Sequence, residues 1–440
     1  MSESIELLQQ LIRNACVNDG TPQSGHEVRS VETIADFLGQ VGQVFEPLPG
    51  RQSVVHRVPG RNPNAPALML MGHLDVVPVS IDGWTVDPFA AERKDGFIWG
   101  RGAVDMLNLT ASMASVFRRY WSGQLDPLPG DLLFLAVADE EAGGTYGAAH
   151  IFEEDPRAVM AEFVLTEVAF PNLETPKGPG LVVTVAEKGP QWRRLMTSGL
   201  PGHGSQPLHT SNAMVPLAEA VALLGSDLGP VAITDEWRQF VGAAGLDSAL
   251  ADPDRVDDAI AEIDDVGIAR WAHACTHLTF TPTVIDSGTK TNVVPDSASL
   301  EMDIRALPGQ ERADVDDHFR KVLGPDLFEQ IEMEDLLVHS ASSSAPTGLL
   351  WDALDDARDS VGPDGPLLPA IFPGSTDGRF WRERGSAVYG AGLFDSNASV
   401  GEMLSMFHGN DERVSEASVD LTTSFLAATI EAFGARTSAL

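Results

Sequence analysis

The 440-residue chain contains only two cysteines, Cys16 and Cys275, and only five lysines. Two cysteines cannot build a disulfide framework, so a reducing cytoplasm is the simplest expected compartment. Long hydrophobic runs are also missing, since runs such as residues 132–138 fall far short of the ~20 residues that a membrane span needs. The opening segment MSESIELLQQLI lacks the basic and apolar regions of a signal peptide. It predicts an amphipathic helix capped by Ser2 or Ser4.

Positive charge is scarce, and the formal net charge is −35. A surface of this sign repels phosphate groups, so we expect no binding of nucleic acid or of an anionic membrane through a general basic surface. Hydrophobic residues make up 43% of the chain, which is enough for sizeable cores. At roughly 150 residues per domain, the length predicts two or three domains.

The first part of the chain alternates helical and strand patterns. Residues 67–71, 131–138 and 162–166 have the composition of buried strands, and residues 34–38 and 108–120 have helical periodicity. Continuous apolar strands separated by helices indicate an α/β domain with a mostly parallel central sheet.

The pattern changes near Gly189, where the strands become half-exposed. Strands are predicted at 191–197, at 299–305 and near Glu329, with helices at 213–224 and 310–323. Residues 226–272 are acidic and partly helical and have the character of an insertion. These elements predict an α+β domain inserted into the first one, which gives a catalytic domain at 1–188 and 337–440 around an inserted domain at 189–336. The second catalytic segment ends in a predicted helix at 419–433.

The motif GHLDVVP, residues 72–78, stands at the end of a predicted buried strand. The two-residue period of a strand puts His73 and Asp75 on the same side. A carboxylate that holds one imidazole nitrogen makes the other nitrogen a well-oriented metal ligand. The alternative is a turn in which Asp75 is a cap and His73 is a buried polar residue.

Two further acidic motifs follow. Asp105 ends the glycine-rich segment WGRGAVD just before a predicted helix, where a helix N-cap is the alternative role. Asp139, Glu140 and Glu141 follow the strand at 131–138. Three adjacent carboxylates repel one another unless cations compensate them or the loop is solvated. Neighbouring glutamates could then divide the duties of metal ligand and general base.

Glu167 closes a third strand, and His408 lies in the later motif FHGNDE. Ligands of open α/β sheets gather at the carboxyl ends of the strands, where His73, the acidic run and Glu167 fall. Two histidines and several carboxylates suit zinc, cobalt or manganese. A second metal site is conceivable at His273, Cys275 and His277, but this group lacks a carboxylate partner, and a structural role is favoured. HExxH, GxSxG and P-loop signatures are missing.

Taken together, the motifs resemble those of the dinuclear zinc peptidases and amidohydrolases that include glutamate carboxypeptidase, succinyl-diaminopimelate desuccinylase, acetylornithine deacetylase and the aminoacylases. GHLDVVP, GRGAVDM and DEEAGG carry the resemblance, and GHGSQP, NVVPDSASLEMDIRALPG, STDGRF and HGNDE support it in the same order along the chain. The resemblance implies a zinc-exopeptidase-like catalytic domain with an inserted α+β lid and dimerisation domain.

The resemblance also implies roles for single residues. His73 and His408 would each bind one of two divalent metal ions, Asp105 would bridge both ions, and Glu141 and Glu167 would each complete one side. Glu140 would be the general base that deprotonates a bridging water, and Asp75 would orient His73. The positions that would contact substrate are His203, Asn292, Arg305, Ser375 and Thr376, with His203 delivered in many members across a dimer interface.

The expected function is therefore metal-dependent hydrolysis of an amide or peptide bond next to a free carboxylate. Zinc is the expected metal, with cobalt or manganese as substitutes, and the substrate is a small peptide or an N-acyl amino acid. A homodimer through the inserted domain is expected. The rival hypothesis is a catalytically silent binding or scaffold protein on the same fold. The chain departs from many members at Leu107 and Asn108, at Val168-Ala169-Phe170, and in the longer insertion at 226–272.

Overall fold

A computed structural model describes residues 2–439 of the chain. The helices are α1 (Glu3–Asn14), α2 (Val28–Leu38), α3 (Leu107–Trp121), α4 (His150–Glu154), α5 (Pro156–Val159), α6 (Met214–Ser226), α7 (Asp235–Ala244), α8 (Val256–Ala261), α9 (Val266–Thr276), α10 (Arg312–Phe328), α11 (Leu349–Val361), α12 (Gly378–Arg382), α13 (Val400–Met406) and α14 (Glu416–Ser438). Short helical turns of other types lie at Ile81–Gly83, Glu140–Ala142, Thr145–Ala149 and Ser248–Ala251.

The strands are β1 (Gln43–Leu48), β2 (Arg51–Val58), β3 (Leu68–His73), β4 (Glu92–Lys94), β5 (Phe97–Trp99), β6 (Leu132–Val137), β7 (Phe163–Thr166), β8 (Leu173–Thr175), β9 (Gly178–Glu187), β10 (Gly189–Ser198), β11 (Gly202–His203), β12 (Thr279–Ser287), β13 (Val293–Val294), β14 (Ser297–Ala306), β15 (Glu332–Val338), β16 (Ser342–Ser343), β17 (Leu367–Phe372), β18 (Ala387–Gly390) and β19 (Arg413–Ser415). The predicted strands and helices of the first segment lie within one to three residues of observed elements, except that α2 begins six residues before the predicted helix.

The main sheet has the strand order β1-β2-β6-β3-β7-β18-β9-β16, with β17 and β8 also paired to β9. Its centre is parallel, because β3 runs parallel to β6 and β7, and β18 runs parallel to β7. The antiparallel pairs lie toward the margins, as in β1 with β2 and β16 with β9. Every residue of β3 and β6 is buried, as their unbroken apolar sequences predict for strands covered on both faces. The predicted α/β domain with a mostly parallel sheet is confirmed.

Two hydrophobic cores cover this sheet. The larger core includes α1, α3 and α14, represented by Leu8, Phe117 and Phe425. The smaller core lies around Phe152 and Trp381. Helix α1 does begin after Ser2, but the Ser2 hydroxyl makes no capping hydrogen bond, so the predicted side-chain cap is wrong.

A separate four-stranded antiparallel sheet has the order β12-β14-β10-β15. It packs against α6 and α10 around its own core, which includes Leu195, Leu217, Leu300 and Phe319. Along β14, Met302 and Ile304 are buried while Glu301, Asp303 and Arg305 are half-exposed, so the predicted alternation is confirmed. This is the α+β domain that the sequence predicts between the two catalytic segments.

One part of the inserted segment packs elsewhere. Trp237, Phe240 and Cys275, from α7 and α9, belong to the large catalytic core and not to the core of the four-stranded domain. Buried Lys188 ties this segment to the start of β10, because its ammonium donates to the carbonyl oxygens of Ala274 at 2.9 Å and His277 at 2.7 Å. Burial lowers the pKa of Lys188 to about 7. The inserted-domain boundaries at 189 and 336 stay a prediction, and residues 235–276 pack with the catalytic core.

Candidate metal centre

Three adjacent strands of the main sheet bring four of the predicted site residues together. His73 is the last residue of β3, Glu140 and Glu141 follow β6, and Glu167 follows β7. Because β6, β3 and β7 are parallel neighbours, their carboxyl ends meet at one edge of the sheet. The placement that the sequence predicts for these four residues is the observed one.

Asp105 reaches this edge from the turn before α3, and buried Glu412 holds that turn. One Glu412 oxygen accepts hydrogen bonds from the main-chain nitrogens of Val104 and Asp105 at 2.6 and 3.0 Å. The other accepts from Arg101 Nη1 at 2.7 Å. Arg101 also donates to the carbonyl oxygen of Gly409, at 2.9 Å. The Glu412–Arg101 pair therefore links the loop of Asp105 to the loop that carries His408.

The side chains form two groups that share Asp105. In the first, His73 Nε2 lies 3.2 Å from Asp105 Oδ1 and 3.6 Å from Glu167 Oε2. In the second, His408 Nε2 lies 3.4 Å from Asp105 Oδ2 and 3.2 Å from Glu141 Oε2. Within each group the ligand atoms lie within 4.8 Å of one another, which suits one metal ion. Each oxygen of Asp105 faces a different group, as a bridging carboxylate requires.

Asp75 supports the site differently from the prediction. Its carboxylate lies 3.8 Å from His73 Nδ1, whereas its own main-chain oxygen accepts from that nitrogen at 2.9 Å. The carboxylate instead accepts from Asn18 Nδ2 and from the main-chain nitrogens of Glu140 and Glu141, at 2.8, 3.2 and 3.1 Å. Asp75 thus orients His73 through its peptide carbonyl and holds the acidic loop through its side chain.

Burial and mutual repulsion dominate the electrostatics of the centre. Burial raises the pKa of Glu140 well above its usual value, and the nearby charge of Glu167 adds to the rise. Burial, and then the charge of Asp105, raise the pKa of Glu141 to about 7. Hydrogen bonds to Asp105 and Glu141 raise the pKa of His408 to about 10. This cluster of buried carboxylates therefore favours the binding of positively charged groups.

The residues fit a pair of divalent cations. Each group offers one imidazole and two carboxylates, a donor set suited to zinc and other first-row metals. Glu141 Oε1 is buried and has no hydrogen-bond partner, so an acceptor oxygen is free beside the second group. Buried carboxylates without enough protein donors are stabilised by cations.

A cavity of about 370 Å³, the metal pocket, opens beside these groups. Asp105, Glu140, Glu141, Glu167 and His408 line one side of it. The four-stranded domain lines another side with Trp192, Asp303 and Arg305. Arg305 donates to Asp303 at 2.7 Å and lies over the Trp192 ring at 5.4 Å from its centroid. The pocket therefore places one arginine opposite the predicted metal ligands within a single chain.

Comparison with known proteins identifies the family. The family model described as Peptidase family M20/M25/M40 matches residues 69–432. The chain belongs to this family. The predicted resemblance is confirmed, and the chain is a metal-dependent hydrolase of amide bonds, in preference to the silent scaffold considered above.

Two relatives match most of this chain. Mouse aminoacylase-1 is 26% identical over 97% of this chain and 95% of its own length. An N-fatty-acyl-amino acid synthase/hydrolase of Xenopus tropicalis is 26% identical over 86% of this chain and 74% of its own length. The fold matches an M20 family metallo-carboxypeptidase of Sulfolobus solfataricus with a TM-score of 0.71 and 18% identity, over 100% of both chains.

The predicted substrate contacts of this M20 chain do not all meet at the metal pocket. Ser375 lines the pocket, and its buried hydroxyl has no hydrogen-bond partner. Thr376 turns away from the pocket, because its hydroxyl donates to buried Glu187 at 2.7 Å. His203 lies on β11 and Asn292 immediately precedes its partner strand β13, and both residues are exposed. The main-chain nitrogen of Gly204 donates to the carbonyl oxygen of Asn292 at 2.9 Å. His203 and Asn292 do not line the metal pocket of their own chain.

The conceivable second metal site does not form in the described residues. The rings of His273 and His277 stack, with centroids 4.0 Å apart and planes 12° apart. Among the residues that the structure describes, neither histidine belongs to a group of ligand atoms close enough to hold one ion. Asp257 supplies the carboxylate missing from the local sequence and lies 3.0 Å from His277 Nε2. The structural role favoured from the sequence agrees with this arrangement.

Several residues that support the site were not predicted from the sequence. Arg51 is fully buried behind the acidic loop, 2.9 Å from Glu27 and 3.1 Å from Asp139. Arg379 lines the metal pocket and donates to the carbonyl oxygen of Gly143 at 2.8 Å. Glu412 was visible in the HGNDE motif, but no local pattern distinguishes its buried role. The signal for all three is long-range pairing, which a single sequence does not display.

Proposed function

We propose that this enzyme cleaves the amide bond of a small substrate that carries a free carboxylate, and that N-acyl amino acids are the leading substrate class. The main support for this proposal is that Arg305 faces the proposed metal ligands across one pocket of about 370 Å³. Arginine suits bidentate binding of a carboxylate. The full-length similarity to mouse aminoacylase-1 supports the choice of an N-acyl amino acid over a longer peptide.

Two zinc ions would be held by the two groups, with His73 and Glu167 on one side, His408 and Glu141 on the other, and Asp105 between them. Such ions polarise the amide carbonyl and make a water molecule more acidic. Glu140 lines the pocket beside Asp105 and is not a member of either ligand group. It would take the proton of the attacking water and pass it to the leaving nitrogen. Cobalt or manganese could replace zinc in this donor set.

The free carboxylate would bind Arg305. Trp192 and Asp303 hold the guanidinium of Arg305 on the pocket wall, since Trp192 Nε1 also donates to Asp303, at 2.9 Å. Ser375 offers a second polar contact through its unpartnered hydroxyl. The scissile amide would then lie between the arginine and the ligand groups, which fixes its orientation.

A homodimer through the inserted domain would supply His203 and Asn292 to the partner's pocket. Strand β12 is an unpaired edge of the four-stranded sheet, and its Val284 and Ile285 are 53% and 58% exposed. An exposed apolar edge strand favours pairing with another chain. His203 could then donate a hydrogen bond to the developing oxyanion.

Mixed dimers test this delivery. Chains with Glu140→Gln are combined under exchange conditions with chains carrying His203→Ala, and each variant alone is inactive or nearly so. If His203 acts across the interface, one site of each mixed dimer is intact, and about a quarter of wild-type activity returns at equal mixing. No recovery in mixed dimers, with dimerisation verified by light scattering, would place His203 within its own chain or outside the reaction.

A hydrolysis screen tests the function itself. N-acyl amino acids, dipeptides and their carboxyl-amidated forms are offered with zinc, cobalt or manganese, and amine release is measured. We expect turnover of the free acids and a strong preference for N-acyl amino acids. Preferential cleavage of dipeptides would move the assignment to a dipeptidase, and equal cleavage of free and amidated substrates would reject the carboxylate requirement.

A further inference from the structure

A second cavity, of about 210 Å³, lies between the catalytic core and residues 235–276. Its lining is entirely apolar and includes Phe170, Trp237, Phe240, Leu250, Trp271 and Ala272. We refer to it as the apolar cavity. No role in binding or catalysis described so far uses these residues.

The size and lining of the apolar cavity suit a hydrocarbon ligand. An engineered apolar cavity of about 150 Å³ in another protein stays free of water and binds benzene. The present cavity is larger and offers no hydrogen-bonding group to hold water. A void of this size between packed helices costs stability unless something fills it. An alkyl or aromatic chain is the chemistry that fits.

Aromatic side chains connect the apolar cavity to the metal pocket. Phe170, in the cavity lining, follows the metal ligand Glu167 by three residues, a separation of at most ~10 Å along the chain. Its ring centroid lies 6.5 Å from that of Phe407, which precedes His408. Phe407 lies 6.3 Å from Phe372, which lines the metal pocket. A series of three neighbouring rings, Phe170, Phe407 and Phe372, therefore links the wall of the apolar cavity to the wall of the metal pocket.

The wall formed by α7 and α9 is anchored close to the metal pocket. Trp271 Nε1 donates to the carbonyl oxygen of Ile371 at 3.2 Å, and Cys275 Sγ lies 3.4 Å from the same oxygen. Ile371 precedes Phe372 of the metal pocket. Val400, at the start of the helix that leads to His408, completes the lining on the other side. The position of the cavity is thus fixed relative to both ligand groups.

We propose that the apolar cavity receives the distal part of the substrate's acyl chain, so that the preferred substrates are N-acyl amino acids with unbranched acyl chains of medium length. This inference rests on the proposed function. The carboxylate end binds Arg305, the amide lies at the ligand groups, and the chain passes Phe407 into the cavity. Residues 235–276 then act as the specificity element of the enzyme, which explains why this part of the insertion packs on the catalytic core.

The first test compares kcat/KM for N-acetyl, N-hexanoyl and N-decanoyl derivatives of one amino acid in the zinc-loaded enzyme. Burial of each methylene raises binding about fourfold, so burial of three to four distal methylenes of the decanoyl chain predicts about 100-fold higher kcat/KM for decanoyl than for acetyl. Ala272→Phe fills the cavity and should lower decanoyl turnover at least about tenfold while acetyl turnover changes less than about twofold. Ala261→Phe, on the exposed side of α8, is the matched control and should leave the chain-length profile unchanged.

The second test measures binding without turnover. Trp237 and Trp271 line the cavity, so their fluorescence should respond to N-decanoyl but not to N-acetyl amino acid in zinc-loaded Glu140→Gln protein. Adding Ala272→Phe, or the smaller Ala272→Leu if the first variant fails to fold, should abolish the response. If no substrate is hydrolysed but this response occurs, the proposed function fails and the cavity site stands. Affinity independent of chain length, or a profile unchanged by filling the cavity, would overturn the inference.

Discussion

Replacement of Arg305 by Ala tests how the enzyme selects a free carboxylate. In the structure the Arg305 Nε donates to Asp303 at 2.7 Å and its Nη2 lies 3.2 Å from the other oxygen of Asp303. The side chain is 23% exposed and lies over Trp192. Its guanidinium is therefore partly compensated and partly hydrated before any substrate binds.

This environment sets the expected magnitude. A fully buried arginine left without its partner would cost about 2–5 kcal/mol. Arg305 keeps Asp303 when the substrate carboxylate is removed, so the loss is closer to that of a hydrogen bond to a charged group, about 1.5–3 kcal/mol. Amidation of the substrate should thus lower kcat/KM about 10- to 150-fold in the wild type. In the Arg305→Ala enzyme the free acid and the amide should be cleaved at similar rates.

The assay measures kcat/KM for matched free-acid and amidated substrates in each variant. Arg194→Ala is the control, because Arg194 lies on neighbouring β10, pairs with Glu301 and Glu334, and does not line the metal pocket. Asp303→Asn should increase the discrimination, since it removes the competing carboxylate. The reasoning is refuted if the wild type does not discriminate, or if Arg194→Ala abolishes discrimination as completely as Arg305→Ala.

Three further predictions concern the centre and its support. Asp105→Ala should lower the content of both metal ions, because both ligand groups share this residue. Elemental analysis of the purified protein measures the metal content, and retention of two tightly bound ions would contradict the bridging role of Asp105. Glu140→Gln should keep the metals and lose about 10²-fold or more in kcat; unchanged turnover would remove Glu140 from its role, and loss of metal would make it a ligand. Arg51→Met should lower the free energy of unfolding by about 3–5 kcal/mol, because Glu27 and Asp139 would remain buried without their cation. Urea unfolding measures this change, and an unchanged unfolding midpoint would show that neither carboxylate is charged in the native state.

The positions of the proposed ligands and of the proposed general base were largely predictable from the sequence, for a physical reason. His73, Glu140, Glu141 and Glu167 each follow an unbroken apolar run, and such runs form buried parallel strands whose carboxyl ends share one edge. A pattern local to each strand was therefore enough to place four side chains together. The alternation along β14 was predictable in the same way, because a strand exposed on one face shows a period of two.

Other features were decided only by tertiary structure. Glu412 accepts a hydrogen bond from the turn of Asp105, and Arg51 forms an ion pair with Asp139. Both contacts join residues that are far apart in the sequence, so no local periodicity predicts them. Residues 235–276 carry helical patterns that do not reveal which core they cover, since an apolar helix face can pack on any neighbouring core. The apolar cavity follows from that packing. The sequence by itself determined which residues could bind metal, and the assembly of distant segments decided what surrounds them.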